Sequence, residues 1–294
     1  MNNCRRRGLA LALPLVILLM VPATGQAASP SKTQYYVSLG DSYAVGYQPG
    51  RGSTREGFAD QTVGKARRRG YRLKLVNFGC GGATTTSILK HKGCPKPARA
   101  VGAAPYDDLT QAAAAARFIR SHRDEVVLVT VSIGGNDVTK CAAAGDPVAC
   151  VAGAVGDIDK NLGTLVRKLR GAAGRKTRIV GTTYPDVILG QWVHPPVSQD
   201  LARVSVVAFQ ALINPALKKQ YRSVAGRFVD VTKASGAYGS LDQLTNLPPY
   251  GEIPVPVARV CKLTWYCEKG DIHARKSGYG LIAGLIAKTL PRRS

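Results

Sequence analysis

Short apolar runs alternate along this chain with segments of helical periodicity, and no other feature restricts its fold as much. The clearest run is residues 126–133, Val-Val-Leu-Val-Thr-Val-Ser-Ile. It is continuous and β-branched, as a strand buried on both faces must be. Similar runs lead up to Gly40 and occupy 72–78, 178–183 and 228–231. Helical patterns fill the intervals at 58–69, 108–123, 152–170 and 197–223, and another, 277–290, closes the chain. In the third of these, Val155, Ile158, Leu162, Leu165, Val166 and Leu169 share one helical face. Pro215 predicts a kink in the fourth. Strands alternating with helices predict an α/β fold whose mostly parallel sheet is covered on both sides.

Residues 1–28 have the layout of a cleaved signal peptide. Arg5-Arg6-Arg7 precede an apolar run from Leu9 to Val21, and small residues follow around Gly25, Ala27 and Ala28. The expectation is therefore a secreted, extracellular protein with a single domain over 29–294. Losing the three arginines takes the net charge from +23 to +20. Such an excess suits peripheral contact with anionic lipid or cell-wall polymer, or else serves solubility alone. Nothing in the motifs suggests nucleic acid as a partner, and a monomer is expected.

Six cysteines remain beyond the signal: Cys80, Cys94, Cys141, Cys150, Cys261 and Cys267. An even count in a secreted chain argues for disulfides. They fall as three pairs of sequence neighbours, so Cys80–Cys94, Cys141–Cys150 and Cys261–Cys267 are expected, each closing a loop. The chain holds no Cys-x-x-Cys pair to argue for zinc.

Three polar blocks follow strand-like runs, and a fourth lies in the tail. They are Gly40-Asp41-Ser42, then Gly79-Cys80-Gly81-Gly82, then Gly134-Gly135-Asn136-Asp137, and finally Gly270-Asp271-Ile272-His273 ahead of the last helix. A parallel sheet gathers such blocks at its carboxyl edge. Acyl transfer needs a serine nucleophile, a base beside it and preorganised donors for an oxyanion. Ser42, His273, a glycine N–H at Gly82 and the Asn136 amide supply those parts. Taken alone, Gly-Asp-Ser would more simply cap a helix. His91, His122 and His194 suit surface or packing positions. No completed dinucleotide or Walker motif occurs, and no cofactor is expected.

In these blocks the chain resembles the GDSL or SGNH hydrolases, serine esterases and lipases, over essentially all of its mature length. The resemblance implies a three-layer α/β/α fold with a flavodoxin-like five-stranded sheet, Ser42 as nucleophile and His273 as base. It further implies an oxyanion hole from the Ser42 and Gly82 N–H groups and the Asn136 side chain. Two departures stand out. Tyr43 replaces the leucine of the family name, and Asp271 lies two residues before His273, where the family usually has three. Either the Asp271 carboxylate or a backbone carbonyl could therefore orient the histidine. The substrate class expected is a carboxylic ester. Apolar residues Val187, Ile188, Leu189, Trp192, Leu247 and Ile253, in two long stretches without regular pattern (183–200 and 232–260), favour a fatty-acyl or lipid ester. The same blocks would serve a polysaccharide acetylesterase, an acyltransferase or a non-catalytic binder.

Overall fold

The computed structural model describes Met1 and residues 33–103 and 105–293. The signal peptide expected at 1–28 falls, Met1 apart, outside them. Strand β1 (Gln34–Gly40) is followed by α1 (Phe58–Arg67), β2 (Leu73–Asn77), α2 (Gln111–Ser121) and β3 (Val126–Ser132). Then come α3 (Gly135–Thr139), α4 (Pro147–Ala173), β4 (Arg178–Thr182), α5 (Gln199–Val207), α6 (Asn214–Ser223) and β5 (Arg227–Val229). A hairpin of β6 (Leu244–Asn246) and β7 (Glu252–Pro254) leads into α7 (Val255–Leu263), and α8 (Lys276–Lys288) ends the chain.

The five main strands form one parallel sheet in the order β2-β1-β3-β4-β5. This is the flavodoxin-like three-layer fold. Strand alternation divides the core between the two faces. Tyr36, Leu128 and Val180 pack with Phe58 of α1 and Tyr279, Ile282 and Ile286 of α8. Val37, Val129, Val131 and Ile179 pack with α2, α4 and α6 through Ile119, Ile158, Leu162 and Leu217. Tyr221 of α6 lies flush on Gly181, where a Cβ would stand 1.9 Å from the ring. A side chain at 181 could not be accommodated without displacing the Tyr221 ring.

Two expectations needed correction. Residues 197–223 are two helices joined by a π-helical turn, Ala208–Ile213, in which the Asn214 N–H donates to the Phe209 carbonyl. Pro215 has no N–H to offer, and the widened turn lies directly before it. The 232–260 stretch is not patternless either. It contains β6, β7 and the start of α7, which bury Ile253, Val257 and Val260 in a satellite core with Leu189 and Ala202. Pro248 and Pro249 belong to the hairpin turn, where a missing N–H costs no ladder bond.

Candidate active site

The site is built where β1 ends. Gly40 has φ +137°, and a Cβ there would lie 2.0 Å from the Ser132 carbonyl oxygen. Only glycine lets β1 turn this close to β3. Gln111, the first residue of α2, clamps the turn from both sides. Its Oε1 accepts from the Gly40 N–H (2.8 Å) and its amide donates to the Gly40 carbonyl (3.0 Å). Asp41 then turns inward, accepting from the Tyr43 N–H (2.9 Å) and the Tyr184 hydroxyl (2.5 Å). Burial pushes its carboxyl up to about 7. Ser42 follows, lining an apolar cleft.

The glycine block is tied to its neighbours by backbone and side chain. The Asn77 side chain spans from the Ala44 carbonyl (2.7 Å) to the Gly79 N–H (2.9 Å). Gly82 has φ +79° and opens onto free space. Among the described residues the Ser42 and Gly82 N–H groups donate to no protein acceptor. Asn136, in the first turn of α3, donates one amide hydrogen to the Ala83 carbonyl (2.9 Å) and keeps the other. Asp137 holds this block to the previous one by accepting from the Thr85 N–H (3.0 Å) and hydroxyl (2.6 Å).

His273 sits in a loop fastened to residues 43–48 rather than to the sheet. Tyr43 donates to the Ile272 carbonyl (2.7 Å), and Gln48 donates to the Ala274 carbonyl (2.9 Å) while accepting from Trp265 (2.9 Å). The Tyr47 ring lies 4.2 Å from the imidazole. Asp271 Oδ1 accepts from the His273 backbone N–H (2.9 Å) and stands 2.8 Å from its Nδ1. A left-handed Gly270 (φ +62°) ends the short helix Tyr266–Lys269 just before this pair. Of the two partners weighed for Nδ1, the carboxylate is the one in contact. Nε2 is buried without a hydrogen-bond partner, and no Ser42–His273 hydrogen bond is formed. Burial lowers the imidazole below its ordinary value, partly offset by Asp271.

All three disulfides lie next to these blocks: Cys80–Cys94, Cys141–Cys150 and Cys261–Cys267, with Cα separations of 5.9, 5.5 and 5.2 Å. Of the other histidines, His91 is exposed and the remaining two serve packing. His122 stacks on Phe118, and His194 donates to the Cys267 carbonyl.

The profile of the GDSL-like lipase/acylhydrolase family matches residues 38–279. The chain belongs to that family. It is accordingly a carboxylic ester hydrolase, and its four blocks occupy the carboxyl edge of the sheet. Similar solved structures include the extracellular lipase of Streptomyces rimosus, at 18% identity and TM-score 0.49, covering 87% of this chain and 99% of that one. A putative arylesterase from Agrobacterium tumefaciens is 17% identical, with TM-score 0.46 and coverage of 87% and 98%. The YXIM protein of Bacillus subtilis is 12% identical at TM-score 0.50, with 88% of this chain matching 56% of that one. No curated protein sequence matches the chain.

Gln111, Gln48, Tyr184 and Asp137 escaped the sequence reading, because each acts on a block far away in the chain. Only Asp137 carried a signal, standing within its own motif. The apolar residues divide differently from expectation. Val187 and Ile188 line the cleft. Leu189, Trp192, Leu247 and Ile253 pack in or against the satellite core, the first two from the 3₁₀ helix Val187–Trp192 and the others from the β6–β7 hairpin. Trp192 is also covered by Arg203, 4.8 Å from its ring.

Proposed function

We propose that this hydrolase is a secreted serine esterase acting on fatty-acyl esters through an acyl-enzyme on Ser42. The observation that carries the acyl preference is the cleft at Ser42. Its walls are apolar, formed by Val148 and Val151 of α4, Val187 and Ile188, and Leu201 and Val204 of α5. An acyl chain entering there exchanges water for hydrocarbon. Secretion is supported by the three disulfides, and no helix among the described residues is long and apolar enough to cross a membrane.

In this reading Ser42 Oγ attacks the ester carbonyl while its proton passes to His273 Nε2. The carbonyl oxygen becomes an oxyanion received by the Ser42 N–H, the Gly82 N–H and the remaining Asn136 amide hydrogen. His273 then gives its proton to the leaving alcohol, and the acyl group stays on Ser42. Water attacks the acyl-enzyme with His273 again as base, and the acid departs. Asp271 keeps the Nδ1 proton in place and stabilises the imidazolium.

Two measurements test this reading. Across soluble chromogenic esters, kcat/KM is expected to rise from two-carbon to about eight-carbon acyl groups. Each methylene buried in the cleft contributes up to ~0.8 kcal/mol, about fourfold in rate. A steep fall beyond acetate would assign the enzyme to short acyl groups instead. The pH profile is the second. Because burial lowers the His273 value and the base must be neutral, the acid limb of kcat/KM should have its midpoint below the ordinary histidine value, with activity lost as pH falls through it. A midpoint at or above pH ~6.5 would contradict His273 as the base.

A further inference from the structure

Parallel strands alternating with antiparallel helices send every helix-to-strand connection to the amino edge of the sheet, opposite the cleft. In this protein those connections are almost uniformly cationic. Residues 67–74 read Arg-Arg-Arg-Gly-Tyr-Arg-Leu-Lys, residues 174–178 Gly-Arg-Lys-Thr-Arg, and Arg222 and Arg227 bracket the α6–β5 turn. The end of α8 joins the same edge, because Arg69 donates to the Leu290 carbonyl and the Arg293 N–H to the Arg69 carbonyl. Asp124 and Glu125 are the only side-chain carboxylates in these connections among the described residues.

Helix dipoles account for part of this pattern, since a cation in the last turn is favoured there. Arg67, Arg120, Arg222 and Lys288 fit that explanation. Arg72, Lys74, Arg175, Lys176, Arg227 and Arg292 do not, because they stand outside helices and are exposed. None of them forms an ion pair with a described residue; the ion pairs of the described residues lie elsewhere, as in Arg51–Glu56, Lys219–Asp159 and Arg275–Glu268. Arg67, Arg72 and Lys74 also border a depression with Tyr71 and Leu73. Leaving so many like charges unpaired on one edge costs self-repulsion that a polyanion would relieve.

We propose that the amino edge of the sheet is a docking surface for a linear phosphate-bearing polymer, which it grips while the cleft stays open roughly 20 Å away across the sheet. Charge complementarity supplies the attraction, and position argues against a bilayer. A membrane held at this edge would lie opposite Ser42. The large apolar side chains exposed among the described residues, such as Val148, Val207 and Leu244, lie outside these connections, so nothing there would insert.

The test is binding of the whole protein to long-chain polyphosphate across a salt series. Wild type should bind with log K falling linearly against log salt. The triple variant R67E/R72E/K74E is expected to lose about tenfold or more at low salt and to show a flatter salt slope. A control triple with the same charge change, K90E/K92E/K96E, on the catalytic side, should lose less than about threefold. Both should hydrolyse a short soluble ester at the wild-type rate, which separates this surface from the fate of the acyl-enzyme reading. If the first triple does not fold, R175E/K176E on a separate connection gives the same readout. Equal losses in the two triples, no polyphosphate binding by wild type, or tighter binding to phosphatidylglycerol vesicles than to the polymer would overturn the proposal.

Discussion

Replacing Ser42 by alanine is expected to lower kcat/KM on a soluble ester by about 10⁴- to 10⁶-fold, with His273→Ala close behind. The double variant should be no worse than the poorer single one. Ser42 Oγ and His273 Nε2 would act on one proton in one step, so removing either abolishes that step and removing both abolishes nothing more. The buried, unpartnered Nε2 is consistent with a group whose partner arrives with the reacting complex. Ser42 is a small side chain lining the cleft, so the alanine variant should keep the melting temperature of the parent. A serine-directed phosphonate should label the parent at Ser42 and leave the variant unlabelled. A loss below about a hundredfold, or a double variant whose losses multiply, would remove Ser42 and His273 from a shared catalytic step.

The next largest effect is expected at Asp271. Changing it to asparagine should cost about 10⁴-fold in kcat/KM, the loss typical when a triad acid becomes an amide. The 2.8 Å contact to Nδ1 is charge-assisted once the imidazole is protonated, and an amide cannot supply that charge. The substitution isolates this effect. Asparagine can still accept from the His273 backbone N–H through its carbonyl oxygen, so the turn that presents the imidazole survives. The acid limb of the pH profile should also move further down, since Asp271 is the group raising the histidine against its burial. A loss under about tenfold with an unmoved limb would reduce Asp271 to a local turn residue.

Much of the fold was legible because its signals are local. A continuous β-branched run such as Val126–Ser132 has few alternatives to a buried parallel strand, and the periodic face of α4 is written within single turns. The pairing of Cys80 with Cys94, or of Cys261 with Cys267, joins near neighbours and needs no knowledge of the crossovers. The hairpin β6–β7 was hidden by its brevity. Three-residue strands around Pro248-Pro249 carry too little alternation to stand out from a Pro-rich loop.

The family, the alternation of strands and helices, and the four polar blocks, three of them at strand ends, were determined by the sequence itself, since each depends on residue types a few positions apart. What holds those blocks in place was decided only by the tertiary structure. Gln111 reaches Gly40 across 71 positions, Tyr184 reaches Asp41 across 143, and Trp265 reaches Gln48 across 217. The same is true of the contact between Asp271 and His273, two residues apart, whose loop is fastened to residues 43–48. It is true also of the charge, for composition gives its amount, while helices returning antiparallel to the strands gather much of it on the edge away from the cleft. Side-chain pattern records which face of an element is apolar; only the crossovers and the packing of the layers determine which distant polar groups come within hydrogen-bonding reach.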